Sequence, residues 1–175
     1  MAEITKLPLA QGGLTAPTPL SPLHDLSKFV SGKPQLDEWL RNHALNSEGV
    51  TARTYVVCDN ATVVGYYCIS TGSVERRALP PKMKRAQGLP NQISVAIIGR
   101  LARDRSYKGK GLGLDLLKDA LTRVLSASQI IGIRAVLVHA LDEEASKFWR
   151  ENEFIECPVD SRTFYLPIET IANAL

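Results

Sequence analysis

Arg105-Ser-Tyr-Lys-Gly-Lys-Gly-Leu-Gly113 is the stretch on which the fold of this chain turns. An apolar run leads into it, Ile93-Ser-Val-Ala-Ile-Ile-Gly-Arg-Leu-Ala102, and predicts a central strand buried on both faces. Beyond it, Leu116, Leu117, Ala120, Leu121, Val124 and Leu125 recur at intervals of three and four, which predicts a core-facing helix over 112–126. Gly109, Gly111 and Gly113 let the backbone lie close to something bulky, and a helix start brings N–H groups that lack intrahelical partners. Arg105, Lys108 and Lys110 add positive charge, and no acid lies between them and Asp115. Strand, glycine-rich turn, helix start and cations together describe a phosphate cradle. The simpler alternative is a glycine turn with solvated lysines. A P-loop fits less well, because no Ser or Thr follows a Gly-Lys pair here. The dinucleotide fingerprint also fits less well, because Gly109-x-Gly111-x-Gly113 has the wrong last interval.

Around this centre the chain reads as one domain. Its 175 residues suffice for a proper core, and a formal net charge of +3 does not by itself imply a nucleic-acid partner. No run approaches the apolar length of a membrane span, and the N-terminus lacks a signal peptide, so a cytoplasmic soluble protein is expected. Cys58, Cys68 and Cys157 show no C-x-x-C spacing, and His24, His43 and His139 are scattered, so no metal site is expected.

On the N-terminal side, residues 1–16 read as a flexible tail. Residues 19–29 predict a short strand and a helical turn. Pro34 sits where helices begin, with Leu36, Trp39, Leu40 and Ala44 on one face, so Trp39 is expected to be core packing. Arg53-Thr-Tyr-Val-Val-Cys-Asp59 and residues 63–71 predict a hairpin about 60–62. In that register Cys58 lies opposite about Val64, roughly 13 Å along the strand from Cys68, which is beyond disulfide reach. Residues 74–90 are different: few large apolar side chains, three prolines, one acid (Glu75) and the cations Arg76, Arg77, Lys82, Lys84 and Arg85. They predict a basic loop, either simply solvated or a nucleic-acid contact.

On the C-terminal side, residues 132–140 predict a second buried strand, parallel to the first because a helix crosses between them. Asp142 can cap the next helix, which is expected to run to about residue 152. Residues 154–155 and 163–166 predict two last strands, the second closed by Pro167.

The cradle, written Lys108-Gly-Lys-Gly111-Leu-Gly113, resembles the pyrophosphate loop of the GNAT superfamily of N-acetyltransferases, Gln/Arg-x-x-Gly-x-Gly/Ala, with Lys keeping the charge of the first place. Over residues 14–168 the chain resembles one branch of that superfamily, the toxins of type II toxin–antitoxin pairs that acetylate aminoacyl-tRNA. The matching segments include Ala16-Pro-Thr-Pro-Leu-Ser, Phe29-Val-Ser-Gly, Leu36-Asp-Glu-Trp-Leu, Arg53-Thr-Tyr-Val-Val, Gly99-Arg-Leu-Ala, Leu116-Leu-Lys-Asp-Ala and Val138-His-Ala-Leu.

The resemblance implies an α/β fold: a single GNAT-type domain over residues 17–175, with a twisted mixed sheet splayed after the central strand and flanked by helices. It implies acetyl-CoA as cosubstrate and no metal. The pantetheine arm would lie on Leu101, Ala102 and Arg103, the pyrophosphate on the amides of Lys108, Gly109, Lys110, Gly111, Leu112 and Gly113, and Phe148 beside the cofactor. In the related toxins a tyrosine in Phe-Tyr-x-x-x-Gly-Phe protonates the leaving CoA thiolate. Here Phe148-Trp149-Arg-Glu-Asn-Glu-Phe154 puts Trp149 in the catalytic tyrosine's place and Glu153 in the glycine's. An indole N–H donates a hydrogen bond but does not release its proton in water.

The partners implied are aminoacyl-tRNA, held in part by Arg76, Arg77, Lys82, Lys84 and Arg85, and a ribbon-helix-helix antitoxin; a homodimer stays open. Two other readings stay open as well. One is a catalytically impaired CoA-binding regulatory partner of an antitoxin, the other an acetyltransferase for a small amine.

Overall fold

The computed structural model describes residues 13–175. The expected tail lies outside the described residues up to residue 12. Beyond it Leu14 is buried and bridges Asp59, and the Thr15 N–H donates to the Cys58 carbonyl at 2.9 Å.

Seven strands form one mixed sheet, in the order β1-β2-β3-β4-β5-β7-β6. They are β1 (Thr18–Pro19), β2 (Arg53–Asp59), β3 (Thr62–Glu75), β4 (Gln92–Arg103), β5 (Ala135–His139), β6 (Ile155–Cys157) and β7 (Asp160–Pro167). The helices are α1 (Pro34–Asn42), α2 (Ala44–Ser47), α3 (Pro81–Lys84), α4 (Leu112–Ser128), α5 (Glu143–Glu151) and α6 (Ile168–Ala174). β4 and β5 pair in parallel, as a helical crossover requires, and the other pairings whose register is resolved are antiparallel. The residues cluster into two compact units, one of residues up to 69 with 100–120, the other of 70–99 with 121–175.

In the first unit, β3 carries a helix on each face. Neighbouring strand residues point to opposite faces. The Tyr66 hydroxyl donates to the Leu36 carbonyl of α1 at 2.8 Å, whereas the Tyr67 hydroxyl donates to Asp119 of α4. Gly65, on the α4 side, has no side chain because Leu116 and Leu112 fill that space: a Cβ there would lie 3.1 and 3.2 Å from them. Leu20, Phe29, Leu40, Val56 and Tyr66 form the core on the α1 side. Trp39 stacks on Tyr66 with centroids 6.0 Å apart, and Arg100 lies 4.3 Å over its ring. It is core packing with one face turned to a cation.

In the second unit, Leu79, Met83, Ile93, Val95, Leu137 and Tyr165 form the core. Leu79 and Met83 belong to the stretch expected to be a loop. Instead β3 runs on to Glu75, and a 3-10 turn (Arg76–Ala78) and α3 follow. Two buried apolar anchors in a polar segment are enough to fold it down, a signal too sparse for periodicity to show.

Smaller differences have equally local causes. The hairpin turn is tighter than expected, with Asn60 at φ 56, a conformation Asn tolerates. Cys58 lies opposite Val63 beside a bulge, Cys68 opposite Thr54, and all three cysteines are buried and form no disulfide. β4 is less buried than its composition suggests, with Ser94 and Gly99 exposed. Helix α6, after Pro167, has no local signal in the sequence. It is held by an ion pair from Arg134 to Glu169 at 2.7 Å.

Candidate functional site

The cradle is pinned at its start. The Asp104 carboxylate accepts from the Val30 N–H at 2.9 Å, from the Ser106 N–H at 3.0 Å and from the Ser106 hydroxyl at 2.6 Å. Burial alone would raise the Asp104 pKa, but these hydrogen bonds and the charge of Arg105 outweigh it and hold the carboxyl below its ordinary value. Asp104-Arg-Ser106 is a local capping signature that the glycine pattern overshadows in the sequence. It closes a 3-10 turn, Arg105–Tyr107, before the glycines.

Gly109 and Gly111 have φ of 75° and 80°, so the two glycines supply a left-handed conformation that L side chains rarely adopt. A Cβ built on either would meet nothing within 4 Å. Space above the loop is open. The N–H of Asp115 bonding to the Gly111 carbonyl at 3.1 Å is the first bond into α4. The amides of Leu112, Gly113 and Leu114 therefore have no carbonyl to reach within the helix. Lys108 and Lys110 are exposed at the rim, with the Lys110 ammonium 5.0 Å over the Tyr107 ring. Their amides, however, already bond to the carbonyls of Arg105 and Tyr107. Of the six amides expected to hold a pyrophosphate, Lys108 and Lys110 are used by the turn, which leaves Gly109, Gly111, Leu112 and Gly113.

Immediately before the loop, β4 outruns its neighbour. The last rung of the parallel pairing is Ile98↔Val138, so Gly99 to Arg103 have no β5 partner in the register. Leu101 and Arg103 are half-buried and Ala102 is buried. In the first unit, backbone without a β5 partner thus leads toward the glycine loop.

In the second unit, Trp149 is buried, its ring 5.0 Å from Phe148 and 5.0 Å from Phe154. Its place at the end of α5 explains this. The Phe154 N–H bonds to the Trp149 carbonyl at 3.1 Å and the Glu153 N–H to the Arg150 carbonyl at 3.2 Å, the paired bonds of a Schellman cap with its usual apolar contact. Such a cap needs a left-handed residue, and Glu153 takes it at φ 67°. An L side chain there costs about 1–2 kcal/mol. Glu153→Gly is therefore expected to stabilise the protein by about 0.5–1 kcal/mol, the gain being reduced by the greater freedom of glycine in the unfolded chain. Urea unfolding at unchanged m-value measures it.

The five cations of residues 76–85 are all exposed. Arg76, Arg77 and Lys84 line a pocket of about 490 Å³ with Glu75, Asn91 and Gln92. Arg77 is paired with Glu75, and Arg76 donates to the Leu89 carbonyl at 3.1 Å. Lys82 and Arg85 do not line the pocket. Among the described residues no group of His, Cys, Asp and Glu could hold a metal ion, and no helix is long and apolar enough to cross a membrane.

No family model matches the chain. Its relatives are nonetheless clear. A tRNA-acetylating toxin of Mycobacterium tuberculosis (strain ATCC 25618 / H37Rv) is 40% identical over 149 residues, covering 85% of this chain and 89% of the relative. The chain belongs to the tRNA-acetylating toxins. Solved structures agree. AtaT complexed with acetyl-methionyl-tRNAfMet superposes with a TM-score of 0.85 at 31% identity, over 92% of this chain and 98% of AtaT. AtaTR bound with acetyl-CoA gives 0.81 at 31%, over 93% and 98%. A tyrosine-to-phenylalanine variant of AtaT bound to the C-terminus of the antitoxin AtaR gives 0.79 at 30%, over 92% and 96%. These toxins are GNAT-type acetyltransferases, and the mixed sheet described above is their fold.

Proposed function

We infer that this chain moves acetyl from acetyl-CoA to the amino group of an aminoacyl-tRNA, and so inhibits translation as the toxin of a toxin–antitoxin pair. The observation that carries this is the cradle: two left-handed glycines under open space, at a helix start, directly after five residues of β4 without a β5 partner. The groups present fit acetyl-CoA. The amides of Gly109, Gly111, Leu112 and Gly113 would hold the pyrophosphate, with Lys108 and Lys110 as its counter-charges. Backbone groups of Leu101, Ala102 and Arg103 would pair with the pantetheine arm. Bound there, acetyl-CoA supplies the thioester that a free amine attacks. The chain's contribution is mostly positioning and polarisation of the carbonyl by a backbone N–H.

The basic segment supports tRNA over a small amine, since its cations are exposed and held by Leu79 and Met83. Arg76, Arg77, Lys82, Lys84 and Arg85 would contact phosphates. A cytoplasmic location, a ribbon-helix-helix antitoxin and a homodimer belong to the same reading. The second reading, a CoA-binding regulator without turnover, has one observation in its favour: the tyrosine's place holds a buried tryptophan.

Labelled acetyl-CoA and charged tRNA test the proposal directly. The label is expected on the α-amino group of the aminoacyl ester and absent from uncharged tRNA. Neutralising the five cations together should weaken tRNA binding with CoA affinity unchanged. The salt dependence should flatten as well, by a log–log slope of about 0.7–0.9 for each phosphate that the variant no longer neutralises. Transfer to small amines alone would favour the third reading; CoA binding with no transfer at all would favour the second.

A further inference from the structure

The basic segment encloses a pocket of about 490 Å³ that lies wholly in the second unit. Its walls are the end of β3 with the 3-10 turn (Glu75, Arg76, Arg77), the last residue of α3 (Lys84), and Asn91 and Gln92 where β4 begins. These walls are tied together. The Arg76 N–H donates to the Asn91 carbonyl at 2.9 Å, and the Arg76 guanidinium donates to the Leu89 carbonyl at 3.1 Å. Leu79 and Met83, both buried, anchor the turn and α3 in the core of the unit.

Charge and donors decide what such a pocket takes. Arg76, Arg77 and Lys84 line it with a single carboxylate, Glu75, which is paired with Arg77 and is the only acid among residues 74–90. Three cations against one anion leave a surplus of two positive charges. Asn91 and Gln92 add carboxamide N–H donors. Guanidinium forks match phosphate oxygens two at a time. An internal phosphate of a nucleic acid has a single charge, and its chain leaves on both sides, which suits an open surface. A terminal phosphate monoester carries about −1.5 to −2 at neutral pH and three acceptor oxygens. Its chain leaves on one side only, so it can enter a concavity. The surplus in the pocket matches the monoester. The volume also lies within the range of small-ligand sites, about 300–1,000 Å³. Lys82 and Arg85 are exposed outside the pocket, where internal phosphates would meet them.

We propose that this pocket binds the terminal phosphate monoester of a nucleotide, supplied by the 5′ end of the tRNA; this rests on the tRNA reading above. A tRNA has one such group, at the end that also bears the aminoacyl ester. The five cations then divide into two kinds. Arg76, Arg77 and Lys84 read an end, and Lys82 and Arg85 read the chain. A free 5′-mononucleotide carries the same group and is the other source.

The test compares one uncharged tRNA with its 5′ phosphate intact and after phosphatase treatment. Binding to the full chain is read by calorimetry at fixed salt, with acetyl-CoA affinity and a thermal melt as controls of folding. Removing the phosphate is expected to weaken binding by about tenfold to a hundredfold, the loss that hydrogen bonds to a charged group bring. Lys84→Gln takes away one pocket charge and should shrink that ratio. Lys82→Gln should weaken both tRNAs alike and keep the ratio. Guanosine 5′-monophosphate in excess should lower the affinity of the intact tRNA to that of the treated one. Equal affinity of the wild type for the two tRNAs overturns the inference, while steep salt dependence of both keeps tRNA as the substrate. An undiminished ratio in folded Lys84→Gln puts the phosphate elsewhere and also overturns it. Binding of the mononucleotide with no effect of the tRNA's 5′ phosphate gives the pocket to a free nucleotide and overturns the tRNA source. No tRNA binding by the wild type, with acetyl-CoA still bound, removes the tRNA reading and this inference together.

Discussion

Trp149→Tyr is expected to raise kcat for acetyl transfer by about 10², with acetyl-CoA affinity little changed. The resemblance implies a phenol at this place that protonates the departing thiolate, and general acid help is worth about 10² to 10⁴. An indole cannot supply that proton. A thiol has a pKa near 8.5, so its anion is a tolerable leaving group and the gain lies at the low end of the range. The structure adds a cost. Trp149 is the apolar partner of Phe154 in the cap that ends α5, and a smaller ring fills that place less well. The variant should therefore unfold at lower urea concentration while turning over faster. Steady-state rates of both forms, with a Trp149→Phe control that offers no proton, decide the matter. A folded, CoA-binding tyrosine variant that is no faster shows that proton donation does not limit turnover.

Gly111→Val is expected to lower CoA affinity by tenfold or more, for two separable reasons. At φ 80° a β-branched residue is strained by at least about 1–2 kcal/mol, so the loop must change shape. The Cβ would also stand in the open space that phosphates need, since nothing of the protein occupies it within 4 Å. Gly111→Asn separates the two effects, because Asn tolerates the left-handed conformation. Weaker binding in both variants identifies close approach of the ligand; weaker binding in Val alone identifies the backbone. Unchanged affinity in both, read by calorimetry, would move the pyrophosphate elsewhere.

The elements that could be read before folding share a property: their signal repeats within a few residues. Leu116, Ala120 and Val124 announce α4 because a helix turns every 3.6 residues, and all three are buried. Asp142 announces the start of α5 because a cap bonds three residues on, and its carboxylate does accept from the Ala145 N–H at 2.9 Å. The cradle was legible for the same reason, as glycines adjoining a helix start. What stayed hidden depends on partners far along the chain. α3 is held down by two apolar side chains among charges. α6 is tied to the sheet by Arg134, thirty-five residues before Glu169.

The sequence by itself determined the hairpin, the central strand, the parallel strand after it, the helices α1, α4 and α5, and the glycine loop with its charge, all local patterns written in periodicity and spacing. The family, and the places of Trp149 and Glu153 in its motif, came from resemblance of short segments in the right order. Only the tertiary structure decided that β7 lies between β5 and β6, that β4 outruns β5 at Ile98↔Val138, that turn bonds take the amides of Lys108 and Lys110, and that Glu153 sits in a left-handed cap. It alone brought His139, scattered and without a spacing signal, into line with Thr163 and Asp160. The reason is physical: strand register is chosen by burying both faces of the whole sheet at once, and a slip of one residue turns every side chain over. No window of sequence shorter than the sheet contains that choice.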